Sequence, residues 1–184
     1  RLPADVRKQF KQLQVMYAEK KIRNKAKDDF LSFVKCVWPE FVEGAHHRHI
    51  AKKFNELATG KINRLIVNMP PRHTKSEFAS FLLPAWMVGR NPKLKIIQAT
   101  HTGELAVRFG RKMKNLVDTS ESAQVFEDCK IAADSKAAGR GETNKGDEYY
   151  EEGISGAISG RGEDLYMMDE QDAGQETQRA RDRE

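Results

Sequence analysis

The chain has 184 residues, of which 32% are charged and 39% hydrophobic, with a formal net charge of +5 and a pI near 9.2. This length fits one domain, with room for a small helical appendage, and the composition favours a packed core over a disordered chain. No apolar run approaches the roughly 20 residues of a membrane span, so no membrane partner is expected. The positive net charge suggests an anionic partner such as nucleic acid. A well-solvated surface without such a partner explains the charge equally well.

Two cysteines, Cys36 and Cys129, lie far apart in the sequence and match no metal-ligand spacing. We therefore expect reduced, buried thiols in a cytosolic protein. The sequence has no apolar signal region and no initial methionine, and it stops in a charged run. We expect it to be a piece of a longer chain.

Residues 1–60 are predicted to form a helical N-terminal subdomain. The stripe that predicts its first helix consists of Val6, Phe10, Leu13 and Tyr17. Either Asp28 or Asp29 is expected to cap a second helix that Pro39 stops. A third helix is expected to end at Gly60, which suits the position after a helix C-terminus.

From residue 61 onward the pattern changes to alternating strands and helices. Strands are predicted at residues 65–67, 94–100 and 164–169, helices at 76–88 and 104–117, and strands or hairpins at 125–135 and 149–159. Pro84 is expected to kink or end the first of these helices. The alternation predicts βαβ units and a mainly parallel sheet, with ligands bound beyond the carboxyl ends of the strands.

A turn that closes on Lys75 and Ser76 stands between the first predicted strand and helix. This is the order by which a P-loop holds nucleotide phosphates, with the lysine on the β- and γ-phosphates and the hydroxyl on Mg²⁺. The consensus G-x-x-x-x-G-K-[ST] is not met, because its glycine positions fall on Met69 and Thr74. For this loop alone, a basic turn at the start of a helix is an equally good interpretation.

Prolines in the turn remove amide donors, so the later amides and the side chain of Arg72 are expected to help hold the phosphates. The candidate nucleotide-binding residues of the turn are Pro71, Arg72, His73, Thr74, Lys75, Ser76 and Glu77. A histidine cluster at residues 46–49 has no partner at zinc-ligand spacing and is expected to start a helix. Within it, His47 is a candidate to line the pocket for the nucleotide base.

An acidic pair, Asp169 and Glu170, follows the last predicted strand. Phosphate-bound Mg²⁺ takes one or two carboxylates and keeps several waters, so Asp169 and the Ser76 hydroxyl are the candidate metal ligands. Glu170 is expected to activate the attacking water. The alternative is a strand that simply runs into a polar loop.

The strand at residues 94–100 leads through His101 into a helix with a basic face, made up of Arg108, Arg111, Lys112 and Lys114. That face is expected to contact a phosphate backbone, with a solvated face an equal alternative. A glycine-rich run at residues 153–162 carries Arg161, a candidate to neutralise transition-state charge. Arg72 and Arg140 are rival candidates for that role.

Taken in order, these motifs resemble the N-terminal ATPase of the large terminase subunit of tailed bacteriophages. The resemblance spans roughly residues 30–172. The segments that carry it are residues 44–50, 64–76, 99–106, 156–162 and 164–170. In that family the loop Pro-Pro-Arg-x-x-Lys-Ser is typical, so the missing glycines become a point in favour.

The resemblance implies an α/β fold of the P-loop NTPase class (RecA-like), with a mainly parallel central sheet in residues 61–184. It implies a motor that uses ATP and Mg²⁺ to pump double-stranded DNA into a procapsid. A homo-oligomeric ring, a portal protein and a small terminase subunit are the implied partners, and the implied location is the host cytoplasm, docked on the procapsid portal.

The chain departs from that family in two places. The coupling motif that the family places after the acidic pair is not found in residues 171–184, and the proline that often follows the pair is absent. Two other functions stay open as alternatives to the motor, a helicase-like DNA translocase and a nucleotide-binding assembly module without turnover.

Overall fold

A computed structural model describes residues 3–100, 102–127, 129–130, 140–142, 148–153 and 164–169. The chain divides into two compact units, one of Arg1–Ile66 with Ser120–Glu127 and one of Val67–Thr119 with Asp128–Glu184. Sequence placed the division after residue 60 and assigned all later residues to the second unit. Among the described helices, none is both long and apolar enough to cross a bilayer.

The helices are α1 (Ala4–Asp28), α2 (Phe30–Val37), α3 (Ala45–Ala58), a π-helix (Glu77–Leu82) that continues into α4 (Leu83–Arg90), α5 (Gly103–Val117) and α6 (Ser120–Val125). The strands are β1 (Lys95–Thr100), β2 (Arg140–Glu142), β3 (Glu148–Gly153) and β4 (Leu165–Asp169).

The first unit is helical, and its core lies between α2, α3 and the segment after α6. The rings of Phe30 and Phe54 meet edge to face with centroids 5.1 Å apart, and Phe33 lies 5.7 Å from Phe126. Phe30, Phe33 and Phe54 are almost fully buried. Burial of such rings is the main stabilising contribution available to a unit this small.

Asp29, one of the two predicted caps, begins α2. Its Oδ2 accepts a hydrogen bond from the backbone N–H of Ser32 at 2.9 Å, and its Oδ1 accepts from the side chain of Asn55 at 2.8 Å. Asn55 also accepts from the backbone N–H of Phe30, so α3 is tied to the start of α2. Gly60 has φ 71 after the end of α3, the left-handed conformation expected there.

The predicted stripe of α1 is helical but lies on the surface. Phe10, Leu13 and Tyr17 are all exposed, Tyr17 by 74%. Basic side chains are dense along the same helix, eight of them against three acidic ones between Ala4 and Asp28. The solvent-facing side of α1 is therefore both apolar and positively charged.

The second unit contains a four-stranded sheet in the order β2-β3-β1-β4. β1 is central and pairs in parallel with β3 and β4, whereas β2 pairs antiparallel with β3. The register aligns Gly153, Thr100 and Asp169 in one row at the carboxyl ends of the parallel strands. Residues 96–100 of β1 are all buried, as expected for a central strand.

The predicted RecA-like P-loop fold, with a mainly parallel central sheet, is wrong. The described residues are mostly helical, their sheet is small, and the predicted strand at residues 65–67 is not a strand. The exposure of that run alternates, because Ile66 is 86% exposed while Leu65 and Val67 are half-buried. An apolar alternating run becomes a strand only when a neighbouring strand takes up its backbone hydrogen bonds, and no described strand lies beside this one.

The helix predicted over residues 76–88 forms, but its segment Glu77–Leu82 is a π-helix. The N–H of Leu83 donates to the carbonyl of Phe78, five residues back. Pro84 explains this position, because its ring would clash with the carbonyl of Ser80 in a regular α-helix and it has no N–H to donate there. The wider π turn occurs directly before the proline, and the helix then continues as α4.

Four further predictions of secondary structure have different outcomes. The helix predicted at residues 104–117 and the strand at 94–100 are confirmed, apart from one residue at the start of each. Strand or hairpin at residues 125–135 is wrong where the structure describes the chain, because α6 ends at Val125 and residues 126–127 and 129–130 form no strand. β3 confirms the first part of the strand predicted at 149–159, and residues 154–159 lie outside the described part.

Candidate functional site

The turn that carries Lys75, here called the lysine loop (residues 69–76), contains two residues in the left-handed region. Arg72 and Thr74 both have φ 64. Such a value is uncommon for any residue except glycine and a clear outlier for a β-branched one, at a cost of roughly 1–2 kcal/mol. Thr74 occupies the position of the second consensus glycine, so the backbone has there the conformation that glycine most readily adopts. Strain of this kind clusters at ligand-binding sites.

The loop is braced by short-range hydrogen bonds. The ring Nδ1 of His73 donates to the carbonyl of Pro71 at 2.8 Å, and the N–H of Phe78 donates to the carbonyl of Thr74 at 2.9 Å. The second of these bonds starts the helix, so the amides of residues 75–77 open its N-terminus. A helix N-terminus favours negative charge, since its first N–H groups point away from the helix and its dipole is positive there.

Lys75 contacts Asp169, the aspartate of the second predicted motif. The Nζ of Lys75 lies 3.4 Å from Oδ1 of Asp169, with the lysine side chain 31% exposed and the aspartate side chain 7%. A nearly buried carboxylate requires a partner charge or several hydrogen bonds to offset the loss of hydration. The two predicted motifs therefore meet in one place.

The register of β4 determines where Asp169 lies. The side chain of Asp164 accepts from the N–H of Lys95 at 2.9 Å, and the N–H of Asp164 donates to the carbonyl of Lys95 at the same distance. This pair fixes the start of β4 against β1, and Asp169 then falls opposite Thr100. Tyr166 and Met168 are exposed, so β4 is buried on one face rather than on both.

A third side chain, that of Ser80, also contacts Asp169, and Ser80 is not among the predicted site residues. Its Oγ donates to Oδ2 of Asp169 at 2.8 Å, and both residues are buried. A signal was present, because Ser80 follows Ser76 by four positions and is a polar residue among the apolar positions of this helix.

Glu77 and Lys112 join the helix after the loop to α5. The Nζ of Lys112 donates to Oε1 of Glu77 at 2.8 Å and lies 5.3 Å from the ring centre of Phe81. Lys112 was predicted to belong to a face that binds nucleic acid, and here it pairs within its own unit. Arg108 and Arg111 are exposed.

The structure describes only some of the remaining predicted site residues. Arg72 is exposed, and Ser76 is half-buried at the start of the helix. Glu170 and Arg161, the predicted water activator and charge stabiliser, lie outside the described residues, and of Arg140 only the backbone in β2 is described. The predicted roles of all these residues stay predictions.

His47 belongs to the first unit and is buried. Its Nδ1 accepts a hydrogen bond from the backbone N–H of Gly44 at 2.9 Å, which assigns the ring proton to Nε2 when the imidazole is neutral. Its ring packs 4.8 Å from that of Phe41. These contacts support the start of α3, as the alternative interpretation of the histidine cluster expected, and the base-pocket role of His47 stays a prediction.

Ser76 and Asp169, the two predicted metal ligands, both carry hard oxygen atoms of the kind that Mg²⁺ prefers. Within the described ranges, no group of three or more His, Cys, Asp or Glu residues could hold a metal ion. Binding of Mg²⁺ by Ser76 and Asp169 stays a prediction.

No family model, curated protein or solved structure matches the chain.

Proposed function

We propose that this chain binds ATP with Mg²⁺ at the lysine loop and hydrolyses it, as the ATPase of a viral genome-packaging motor that moves double-stranded DNA. The contact between Lys75 and Asp169 supports the proposal most strongly. It joins the two sequence motifs that a nucleotide site requires, one for phosphate and one for the metal. The left-handed residues of the loop and the helix N-terminus behind it add further support.

Each residue has a defined role in this proposal. Lys75 and the amides at the helix N-terminus bind the β- and γ-phosphates, and Ser76 and Asp169 hold Mg²⁺. The bound ion would neutralise phosphate charge as it develops. Glu170 orients and deprotonates the attacking water, and Arg72 or Arg161 stabilises the charge that is transferred.

Calorimetric titration of ATP at a fixed Mg²⁺ concentration tests the phosphate site. We expect Lys75→Ala to abolish measurable binding, because it removes the charge that faces the phosphates. Lys93→Ala, at an exposed lysine in the turn before β1, serves as the matched control and should bind like the parent chain. Equal affinity of the Lys75→Ala variant and the parent would exclude the lysine loop as the phosphate site.

Release of phosphate tests turnover. Glu170→Gln should bind ATP and leave it unhydrolysed, whereas normal turnover in this variant would move the role of Glu170 to another residue. If the parent chain releases no phosphate from ATP, either with or without DNA, the result would favour the nucleotide-binding assembly module. Separation of a duplex that carries an overhang would favour the helicase-like translocase, since a packaging motor has no need to unwind DNA.

Double-stranded DNA is the proposed polymer partner, and charge is the observation that favours it. The basic side chains of α1 together with the exposed Arg108 and Arg111 offer contacts to phosphates. The affinity for a duplex should fall steeply as salt rises, with a log–log slope close to the number of phosphates contacted. Binding that is insensitive to salt would exclude these surfaces as the contact. A homo-oligomeric ring, the portal protein and the small terminase subunit remain proposed partners on the same resemblance.

A further inference from the structure

Ser80 makes a buried side-chain hydrogen bond that none of the roles above uses. Its Oγ donates to Oδ2 of Asp169 at 2.8 Å across 89 residues of sequence, and it is 3% exposed. Burial of a serine on an apolar helix face costs free energy unless its hydroxyl makes a hydrogen bond. The bond to Asp169 satisfies that hydroxyl and the carboxylate together.

The two oxygens of Asp169 have different partners. Oδ2 accepts from Ser80, while Oδ1 lies 3.4 Å from the Nζ of Lys75. With Oδ2 held, the carboxylate cannot rotate freely about its terminal torsion, and Oδ1 faces one direction only. In that direction lies the ammonium group of Lys75, at the end of the lysine loop.

The π-helix sets the direction from which Ser80 reaches Asp169. Ser80 lies within the π-helical segment, whose wider turn occurs directly before Pro84. A regular α-helix would place residue 80 at a different rotation relative to Lys75 and Ser76, because the two kinds of helix turn by different angles per residue. Helix irregularities of this kind occur often at functional sites.

We propose, on the footing of the proposed function, that Ser80 is a positioning residue for the metal ligand Asp169. Its hydroxyl holds Oδ2 so that Oδ1 is presented to the cation of the site, which is the ammonium of Lys75 here and Mg²⁺ when the nucleotide is bound. Partners of this kind orient metal ligands, and their loss commonly lowers metal affinity by about 10–100-fold. A purely structural role would instead lower the stability of the fold and leave the response to Mg²⁺ unchanged.

Titration of a non-hydrolysable ATP analogue at a series of Mg²⁺ concentrations separates these roles. For Ser80→Ala, we expect the Mg²⁺ concentration that gives half of the gain in affinity to rise about tenfold. The affinity for the analogue without Mg²⁺ should stay within about twofold of the parent, because Lys75 and the loop amides are intact. Ser80→Thr keeps a hydroxyl and should restore most of the Mg²⁺ response.

Ser122→Ala is the matched control, since Ser122 is also 3% exposed but lies in α6 of the other unit. It should follow the parent at every Mg²⁺ concentration. If Ser80→Ala does not fold, Ser80→Cys serves in its place, because a thiol fills similar space but donates only weakly. It should shift the Mg²⁺ response in the same direction.

The outcomes distinguish the inference from the function on which it rests. An unchanged Mg²⁺ response in a folded Ser80→Ala or Ser80→Cys variant overturns the positioning role and leaves the nucleotide site standing. An equal shift in Ser122→Ala also overturns it, because the effect would then be one of general stability. A parent chain whose affinity for the analogue does not respond to Mg²⁺ overturns the proposed function, and the role of Ser80 with it.

Discussion

The Nζ of Lys75 and the Oδ1 of Asp169 lie 3.4 Å apart, although the two residues come from opposite ends of the second unit's sequence. The lysine ends a strained loop, and the aspartate ends a strand whose start Asp164 anchors to β1. Because Asp169 is nearly buried, the contact stabilises a charge that would be costly alone. One contact thus links the stability of the unit to its proposed chemistry.

A double-mutant cycle with Lys75→Met and Asp169→Asn measures that contact in chemical unfolding. The Asp169→Asn change removes the negative charge but keeps a side-chain oxygen that accepts from Ser80, so the cycle isolates the charge pair. We expect a coupling free energy of about 1–2 kcal/mol.

The pair of Glu77 and Lys112 provides the control cycle, because both of its side chains are more than a third exposed. Its coupling should be smaller, about 0.2–1 kcal/mol, and should weaken with salt. A coupling for Lys75 and Asp169 no larger than that of the exposed pair would show that burial adds nothing to their interaction.

Replacing Thr74 with glycine should relieve strain in the lysine loop. Glycine adopts φ 64 without the steric cost that threonine has, but it loses more backbone freedom on folding. The two effects leave a net gain of about 0.5–1 kcal/mol in the free energy of unfolding. Denaturant unfolding measures it.

Thr74→Ala is the control for that change, since alanine keeps the Cβ and with it the left-handed penalty. It should be no more stable than the parent chain. If Thr74→Gly proves less stable than Thr74→Ala, the left-handed conformation at this position is not the source of strain.

The stability of the helical unit should depend on the ionisation of Asp29. Burial alone would raise the pKa of Asp29, but hydrogen bonds from Ser32 and Asn55 and the charge of Lys25 outweigh it, so the pKa lies below its ordinary value of 3.8. A carboxyl with a lowered pKa stabilises the fold above its unfolded pKa, and this stabilisation is lost as the pH falls through the folded pKa.

Asp29→Ala should therefore lower the free energy of unfolding by about 1–2 kcal/mol at pH 7. The difference from the parent should begin to shrink as the pH falls below the unfolded pKa of about 4, and it should be lost as the pH falls through the lower folded pKa, where the folded carboxyl becomes protonated. Asp28→Ala, at the exposed neighbour, should change stability by less than about 0.5 kcal/mol at either pH. If the loss of unfolding free energy in Asp29→Ala is the same at every pH, packing rather than the carboxylate would be its cause.

The sequence predicted the parts of this structure that follow from local rules. Four such features are confirmed: the Asp29 cap, the left-handed Gly60, β1 and α5. Each of them depends on a capping residue, a turn residue or a clear hydrophobic period. It also singled out Lys75 and Asp169, because a lysine at a helix start and an acid at a strand end are recognisable without tertiary contacts.

The features that the sequence did not predict depend on non-local partners. The run at residues 65–67 has strand-like alternation, but alternation cannot show whether a second strand lies beside it. Ser80 was passed over because its partner Asp169 is distant in sequence, and the pairing of Lys112 with Glu77 was missed for the same reason. The π turn required the clash between Pro84 and the preceding carbonyls to be considered in three dimensions.

The most direct test of a shared nucleotide site at Lys75 and Asp169 is an experimental structure of the chain with a non-hydrolysable ATP analogue and Mg²⁺. We expect the Nζ of Lys75 to leave Asp169 and lie within hydrogen-bond distance of the β- and γ-phosphate oxygens, with Mg²⁺ held by Ser76 and Asp169. Ser80 should still donate to Oδ2 of Asp169. An analogue bound elsewhere, with Lys75 still paired to Asp169, would contradict the proposed site.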